Sequence, residues 1–241
     1  KDFSYVEALL HEALTSCGEG GKDSVIATKA GMLRISRESS GWRPSRCDPD
    51  YLYSRIKASW EAMGKSQIFL WQLHHPNEKV TPLEKSLEGA QKAQREGLIQ
   101  HIGLCNVTLD QIKRAAAVVD VASVQNEYSL WTRTPERNGV LDYCEQNNIP
   151  FIAHGALGGT KARRGDRKLE TSFPGLVEMA RSKHVSPHCL ALAFMRHKWP
   201  CLVHIPGARK VDRIMDIKRA AEIRLSKSEI ERIDLMKPSK G

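Results

Sequence analysis

A set of polar side chains stands where short apolar runs of this chain give way to turns. Lys29 closes SVIATK, His74 follows QIFLWQL, Cys105 and Asn106 follow IQHIGL, Gln125 and Asn126 follow VASV, His154 follows IPFIA, and Gly207 comes just after the last run. A lysine and a histidine facing one cavity suit carbonyl chemistry. The imidazole donates a hydrogen bond to the carbonyl oxygen, and the ammonium lowers the pKa of a neighbouring acid or shields developing negative charge. The carboxamides of Asn106 and Gln125 can pair with a planar amide edge. Singly, each residue has a plainer reading: His74 as a satisfied core histidine, Lys29 or Asn106 as a solvated strand terminus. A scaffold that brings every run end to one rim would give them a joint meaning.

The runs themselves have the form of such a scaffold. Segments 24–29, 68–73, 99–104, 121–125, 149–153 and 201–205 have strand length, are apolar through the middle, and are each followed by a helix-like pattern. Helix starts are marked by an N-cap and a proline: Asp48-Pro49 opens a helix to Gly64, Thr134-Pro135 one to about Asn147, and Ser186-Pro187 one to about Lys198. Thr81-Pro82 with Glu84 reads as a capping box opening a helix over 82–96. Ser226 with Glu229 reads as another, carrying Ile230, Ile233 and Met236 inward. Before all of these, Tyr5 to Thr15 aligns Val6, Leu9, Leu10, Ala13 and Leu14 on one helical stripe. Wholly apolar strands alternating with helices predict an α/β fold with a parallel sheet wrapped by helices, and such folds bind ligands at the carboxyl ends of their strands. Six strands make three quarters of an eight-stranded barrel.

Composition narrows the partners. With 241 residues, 41% hydrophobic and 27% charged, the chain has the make-up of a soluble globular protein. No apolar run approaches the roughly 18 residues of a membrane span, so no membrane partner is expected. The net charge of +9 is spread along the sequence, with local excesses over 161–168 and at Arg209, Lys210 and Arg213. No nucleic-acid recognition motif accompanies it, so an anionic small ligand fits better than nucleic acid. The six cysteines form no CxxC pair and no metal-like spacing with histidine, which predicts reduced thiols, no metal, and a cytoplasmic or other reducing intracellular location. The start at Lys1 reads as the interior of a longer chain, with no signal peptide.

The blocks IATKAG, LWQLHHP, EGLIQHIGLCNVT, SVQNEYSLWTR, IAHGALGG and HIPGARKVDRI, in that order, resemble the aldo-keto reductase family over essentially the whole chain. The resemblance implies one (β/α)8 TIM-barrel domain over 1–241. Its first two strands and one helix, with the family's tetrad Asp and Tyr, would lie upstream of Lys1. It further implies NADPH (NADP+) as cofactor, reduction of an aldehyde or ketone by hydride transfer, and a small-molecule carbonyl substrate. Lys29 and His74, rather than His75, match the tetrad lysine and histidine. Asn106 and Gln125 match the residues that hold the nicotinamide carboxamide, and His154 stands where an aromatic side chain stacks on the nicotinamide. Leu157 and Gly158 match the loop over the pyrophosphate. Arg209 and Arg213 fall in the phosphate-binding segment, Arg213 matching the arginine on the 2′-phosphate; its plainer reading is a surface helix residue paired with Asp212 or Asp216. Cys105 replaces a serine, and Ala208 and Ile217 replace polar contacts. The implied assembly is a monomer or weak homo-oligomer. A second reading is a catalytically impaired NADPH-binding scaffold or regulatory subunit. Loops 30–47, with Trp42, and 160–173 would wall the substrate site.

Overall fold

The computed structural model describes residues 4–34, 42–43, 46–163, 165, 167–208 and 210–239. Arg209 lies outside these residues, as does most of the 35–45 part of the loop expected to carry an aromatic wall. Among the described residues, six strands build one sheet: β1 (Ala27–Ala30), β2 (Ile68–Leu73), β3 (Ile99–Cys105), β4 (Val121–Glu127), β5 (Phe151–His154) and β6 (Leu202–His204). They lie in the sheet in chain order. A two-residue antiparallel ladder, Leu33–Arg34 with Trp42–Arg43, was not foreseen in the sequence. The chain divides into two compact units, 1–124 and 125–241, with the boundary inside β4.

In the first unit β1 pairs with β2 and β2 with β3, all parallel. The strands are buried as their composition demands: Ile68, Trp71, Leu73, Ile99, Ile102 and Leu104 are at most 1% exposed. Helices α1 (Tyr5–Ser16), α2 (Pro49–Ala62), α3 (Leu83–Arg95) and α4 (Leu109–Ala116) accompany them. Asp48 caps α2 as expected, accepting from the Tyr51 amide at 3.0 Å. The Thr81/Glu84 capping box does not form: α3 begins at Leu83 behind Pro82, with no side-chain cap. Its glutamate is drawn away by Arg114, whose guanidinium donates to both Glu84 oxygens at 2.8 and 2.9 Å. A box does form at α4, where Thr108 and Gln111 satisfy each other's backbone amides. The stripe on α1 is left open, with Val6 71% and Leu9 52% exposed, because α1 meets α2 through polar contacts such as Ser59 Oγ donating to Glu7.

In the second unit β5 and β6 pair in parallel, Phe151 opposite Leu202 and Ala153 opposite His204. The helix expected over 134–147 is two, α5 (Thr134–Arg137) and α6 (Val140–Gln146), because Gly139 takes a left-handed conformation between them. Thr134 is therefore the first helical residue rather than a cap. After α7 (Pro174–Ser182), α8 (Pro187–Lys198) runs as expected from its Ser186 cap and is the most buried helix of the unit, with Cys189 through Met195 all inside. Helices α9 (Val211–Ala220) and α10 (Lys227–Asp234) complete it. The Ser226/Glu229 box is present. Ile233 is fully buried, while Ile230 and Met236 are only partly so.

A half-buried ion cluster ties the far end of α10 to the rest of the unit. Arg133 holds Glu136 through two bonds of 2.9 and 2.8 Å and also contacts Asp234. Lys198 bridges the same two carboxylates at 3.1 and 2.5 Å. The Tyr128 hydroxyl donates to Glu136, and burial followed by that carboxylate pushes its pKa far up.

Candidate active site

The parallel register decides which side chains share a face. Lys29 lies opposite Gln72, and Gln72 opposite Gly103, so all three point the same way from the sheet. Gly103 has no side chain for a steric reason: a Cβ there would sit 2.3 Å from Ser123 Oγ and 3.1 Å from Gln72 Cγ. Through the space it leaves, Gln72 Nε2 donates to Ser123 Oγ at 3.1 Å, both residues being buried. Beside Lys29 in the register there is therefore a fixed polar pair.

One step further along the strands the rim is built. The His74 amide donates to the Ala30 carbonyl at 2.8 Å, holding the β2 exit against the β1 exit. Asn106 follows β3 in a left-handed conformation, φ 58°, which asparagine tolerates better than most residues. From there its Nδ2 donates to the His74 carbonyl at 3.0 Å and lies 3.2 Å from Cys105 Sγ. The Cys105 thiol is buried, and burial pushes its pKa up to about 11, while the Lys29 ammonium pulls it the other way. Lys29, His74, Cys105 and Asn106 are thus gathered at one rim of the first unit. Lys29 is exposed and His74 partly buried; His75 is exposed, its Nδ1 against the Pro76 carbonyl.

In the second unit Gln125 is buried within β4 and His154 ends β5, its carbonyl accepting from the Tyr128 amide at 3.1 Å. The chain then turns through Gly155 to Leu157. Leu157 lines a cavity of about 520 Å3 together with Gly155, Ala156, Gly159 and Ala162; Ile205 to Ala208 and Arg213, Asp216 and Ile217 line it as well. Gly158 is not one of the lining residues; a Cβ there would meet Ala162 Cβ at 2.9 Å and the Trp131 ring at 3.3 Å. Of the lining residues, His188 carried no signal in the sequence beyond its place just inside the α8 cap, and Asp216 had been named only as a surface partner for Arg213. Asp216 Oδ2 accepts from Ser186 Oγ at 2.5 Å. Among the described residues no group of three potential metal ligands occurs, and no helix is long and apolar enough to cross a membrane.

This arrangement of parallel strands with polar groups at their exits has close counterparts. The sequence model of the Aldo/keto reductase family matches residues 3–237. The chain belongs to the aldo-keto reductase family. An uncharacterized oxidoreductase of Schizosaccharomyces pombe is 36% identical over 235 residues, 95% of this chain and 69% of that protein. The aldo-keto reductase yakc [NADP(+)] of the same yeast is 27% identical, over 88% of this chain and 69% of its own length. A thermostable aldo-keto reductase solved with the inhibitor epalrestat superimposes with a TM-score of 0.80 at 24% identity, over 96% of this chain and 77% of that one. The fold class of this aldo-keto reductase is therefore the parallel α/β barrel class, as its strand pattern predicts, and its general chemistry is carbonyl reduction. Burial keeps the Cys105 thiol protonated at neutral pH, so it offers no nucleophilic thiolate.

Proposed function

We propose that this chain reduces an aldehyde or ketone to the alcohol with NADPH as electron donor. The observation that carries the proposal is the register setting Lys29 beside Gln72, on the rim where Asn106 anchors the carbonyl of His74. When bound, NADPH supplies the hydride. His74 donates a hydrogen bond to the substrate carbonyl oxygen and so draws electron density from the carbon under attack. Lys29 stabilises negative charge on that oxygen or on the acid that protonates it. Asn106, Gln125 and His154 are the proposed nicotinamide contacts, with Leu157 and Gly158 near the pyrophosphate and Arg213 on the 2′-phosphate.

Two things support the cofactor assignment. The cavity of the second unit has the size of a small-molecule site and carries a guanidinium suited to forked binding of phosphate. One family relative bears NADP(+) in its name. The test uses the complete gene product: NADPH titration by fluorescence, followed by NADPH oxidation on adding an aldehyde. Lys29→Met is expected to lower turnover by roughly a hundredfold or more, the scale of a general acid-base contribution, while leaving NADPH affinity nearly unchanged. Absence of both binding and turnover would refute the proposal. Binding without turnover on any aldehyde would favour the scaffold reading.

A further inference from the structure

The cavity that holds Arg213 has a second nitrogen donor that the family comparison gives no role. Apart from the Arg213 guanidinium, His188 is the one side chain among its described lining residues that bears an N–H; the others are glycine, apolar, or the acceptor Asp216. We propose that His188 is a second phosphate-binding group of this aldo-keto reductase, holding with Arg213 the phosphomonoester that distinguishes NADPH from NADH. The proposal rests on the reading of the cavity as the nucleotide end of the cofactor site.

The first argument is one of charge and donors. A phosphomonoester carries nearly two negative charges and three strong acceptor oxygens. A single guanidinium fork engages two of them at most. Within the lining, the formal charge of Arg213 is cancelled by that of Asp216, so Arg213 alone leaves the cavity neutral towards a dianion. Ala208 and Ile217 stand on the same lining and offer no side-chain donor. The imidazole supplies the missing N–H in either tautomer.

The second argument is position. His188 is the second residue of α8, a helix of 12 residues, and Arg213 the third of α9. Ser186 joins the start of α8 to the middle of α9: its Oγ accepts from the Cys189 amide at 2.9 Å and donates to Asp216 Oδ2 at 2.5 Å. One hydroxyl thus ties the turn that carries His188 to α9 one turn beyond Arg213, and it also occupies one oxygen of the competing carboxylate. The positive end of the α8 dipole points in the same favourable sense for an anion. If His188 instead stacked on adenine, its loss would weaken NADP+ and NAD+ alike.

The experiment measures Kd for NADP+, NAD+ and 2′,5′-ADP with the complete protein, as wild type, His188→Ala, His188→Gln and Arg213→Ala, each checked for an unchanged thermal melt. His188→Ala is expected to weaken NADP+ and 2′,5′-ADP by roughly tenfold, the worth of one hydrogen bond to a charged group, and to leave NAD+ within about twofold. His188→Gln, which keeps an N–H donor, should recover most of the loss. Unchanged NADP+ binding in His188→Ala, or an equal loss for NAD+, would overturn the assignment of His188. If Arg213→Ala alone abolishes the preference for NADP+, the cofactor reading stands and only this inference falls. If the wild type binds neither dinucleotide, both fall together.

Discussion

Gly103→Ala probes the polar pair in register with Lys29. The added Cβ would lie 2.3 Å from Ser123 Oγ, 3.1 Å from Gln72 Cγ and 3.1 Å from the Ser123 carbonyl oxygen, a contact that sheet-bound backbone relieves only slightly. Overpacking of this kind costs about 1–3 kcal/mol. Ser123 can escape by rotating its hydroxyl away, but then Gln72 Nε2, buried and now 3.1 Å from that oxygen, loses its acceptor, at a cost of about 1–3 kcal/mol. By either route the loss is about 1–3 kcal/mol, which for a chain of this length lowers Tm by roughly 2–12 °C. Ser123→Ala alone should cost about 1–2 kcal/mol, as the acceptor disappears without a clash. In the double variant the alanine methyl at 103 enters the space the hydroxyl vacated. The combined loss should then fall short of the sum of the single losses by about 1 kcal/mol or more, the coupling expected of residues in contact. Urea melts of wild type, both single variants and the double variant give all four values. Additive losses, or a neutral Gly103→Ala, would refute the claim that the glycine exists to let Gln72 reach Ser123.

His204 Nε2 donates to the Leu192 carbonyl at 2.9 Å, its Nδ1 has no partner among the described residues, and burial lowers its pKa to about 4. Because the unfolded chain binds this proton more readily than the folded one, stability should be full above about pH 6.5 and fall as pH drops towards 4. The loss approaches 3 kcal/mol at about 1.4 kcal/mol per pKa unit, and His204→Gln should flatten that part of a pH series of urea midpoints. Arg133→Met should destabilise the protein by about 2–4 kcal/mol, since it leaves Glu136 and Asp234 partly buried with Lys198 as their shared cation; a chemical melt within about 0.5 kcal/mol of wild type would contradict this. Alkylation of the native protein at mildly alkaline pH should label exposed Cys17 first. Cys105, Cys144 and Cys189 should stay unmodified until unfolding, since burial removes access and pushes their thiols up to about 11, 12 and 11; mass spectrometry of peptides reads the order.

The elements that could be read from the chain were those whose signals are local. Asp48-Pro49, Ser186-Pro187 and Ser226/Glu229 act within one turn, and all three helices start where these residues stand. The strand cores were equally plain, because a strand buried on both faces must be apolar throughout. The two failures have different physical causes, a distant partner outbidding a local one and a backbone break inside a helical pattern. Glu84 had a cap to make three residues away and instead joined Arg114, thirty positions on. The second half of the Thr134-Pro135 helix was cut off by the conformation of Gly139, which a helical pattern of apolar residues does not register.

The site divides along the same line. Lys29, His74 and Asn106 were legible because strand exits are marked in sequence by the end of an apolar run. What a one-dimensional reading could not supply is how they are held. Asn106 had been assigned only to a ligand, yet its amide nitrogen is spent on the His74 carbonyl, so the first thing it positions is the histidine's own backbone. Gln72 and Ser123 carry no such mark, lying inside apolar strands, and they bond each other in the layer that Gln72 shares with the lysine. His188 was invisible for the opposite reason: it belongs to a helix start, away from every strand exit, and enters the cavity only because Ser186 binds the α8 cap to Asp216 of α9. Residues that do chemistry can be found at the ends of patterns. Those that aim them sit inside the patterns, as polar exceptions whose partners only the fold reveals.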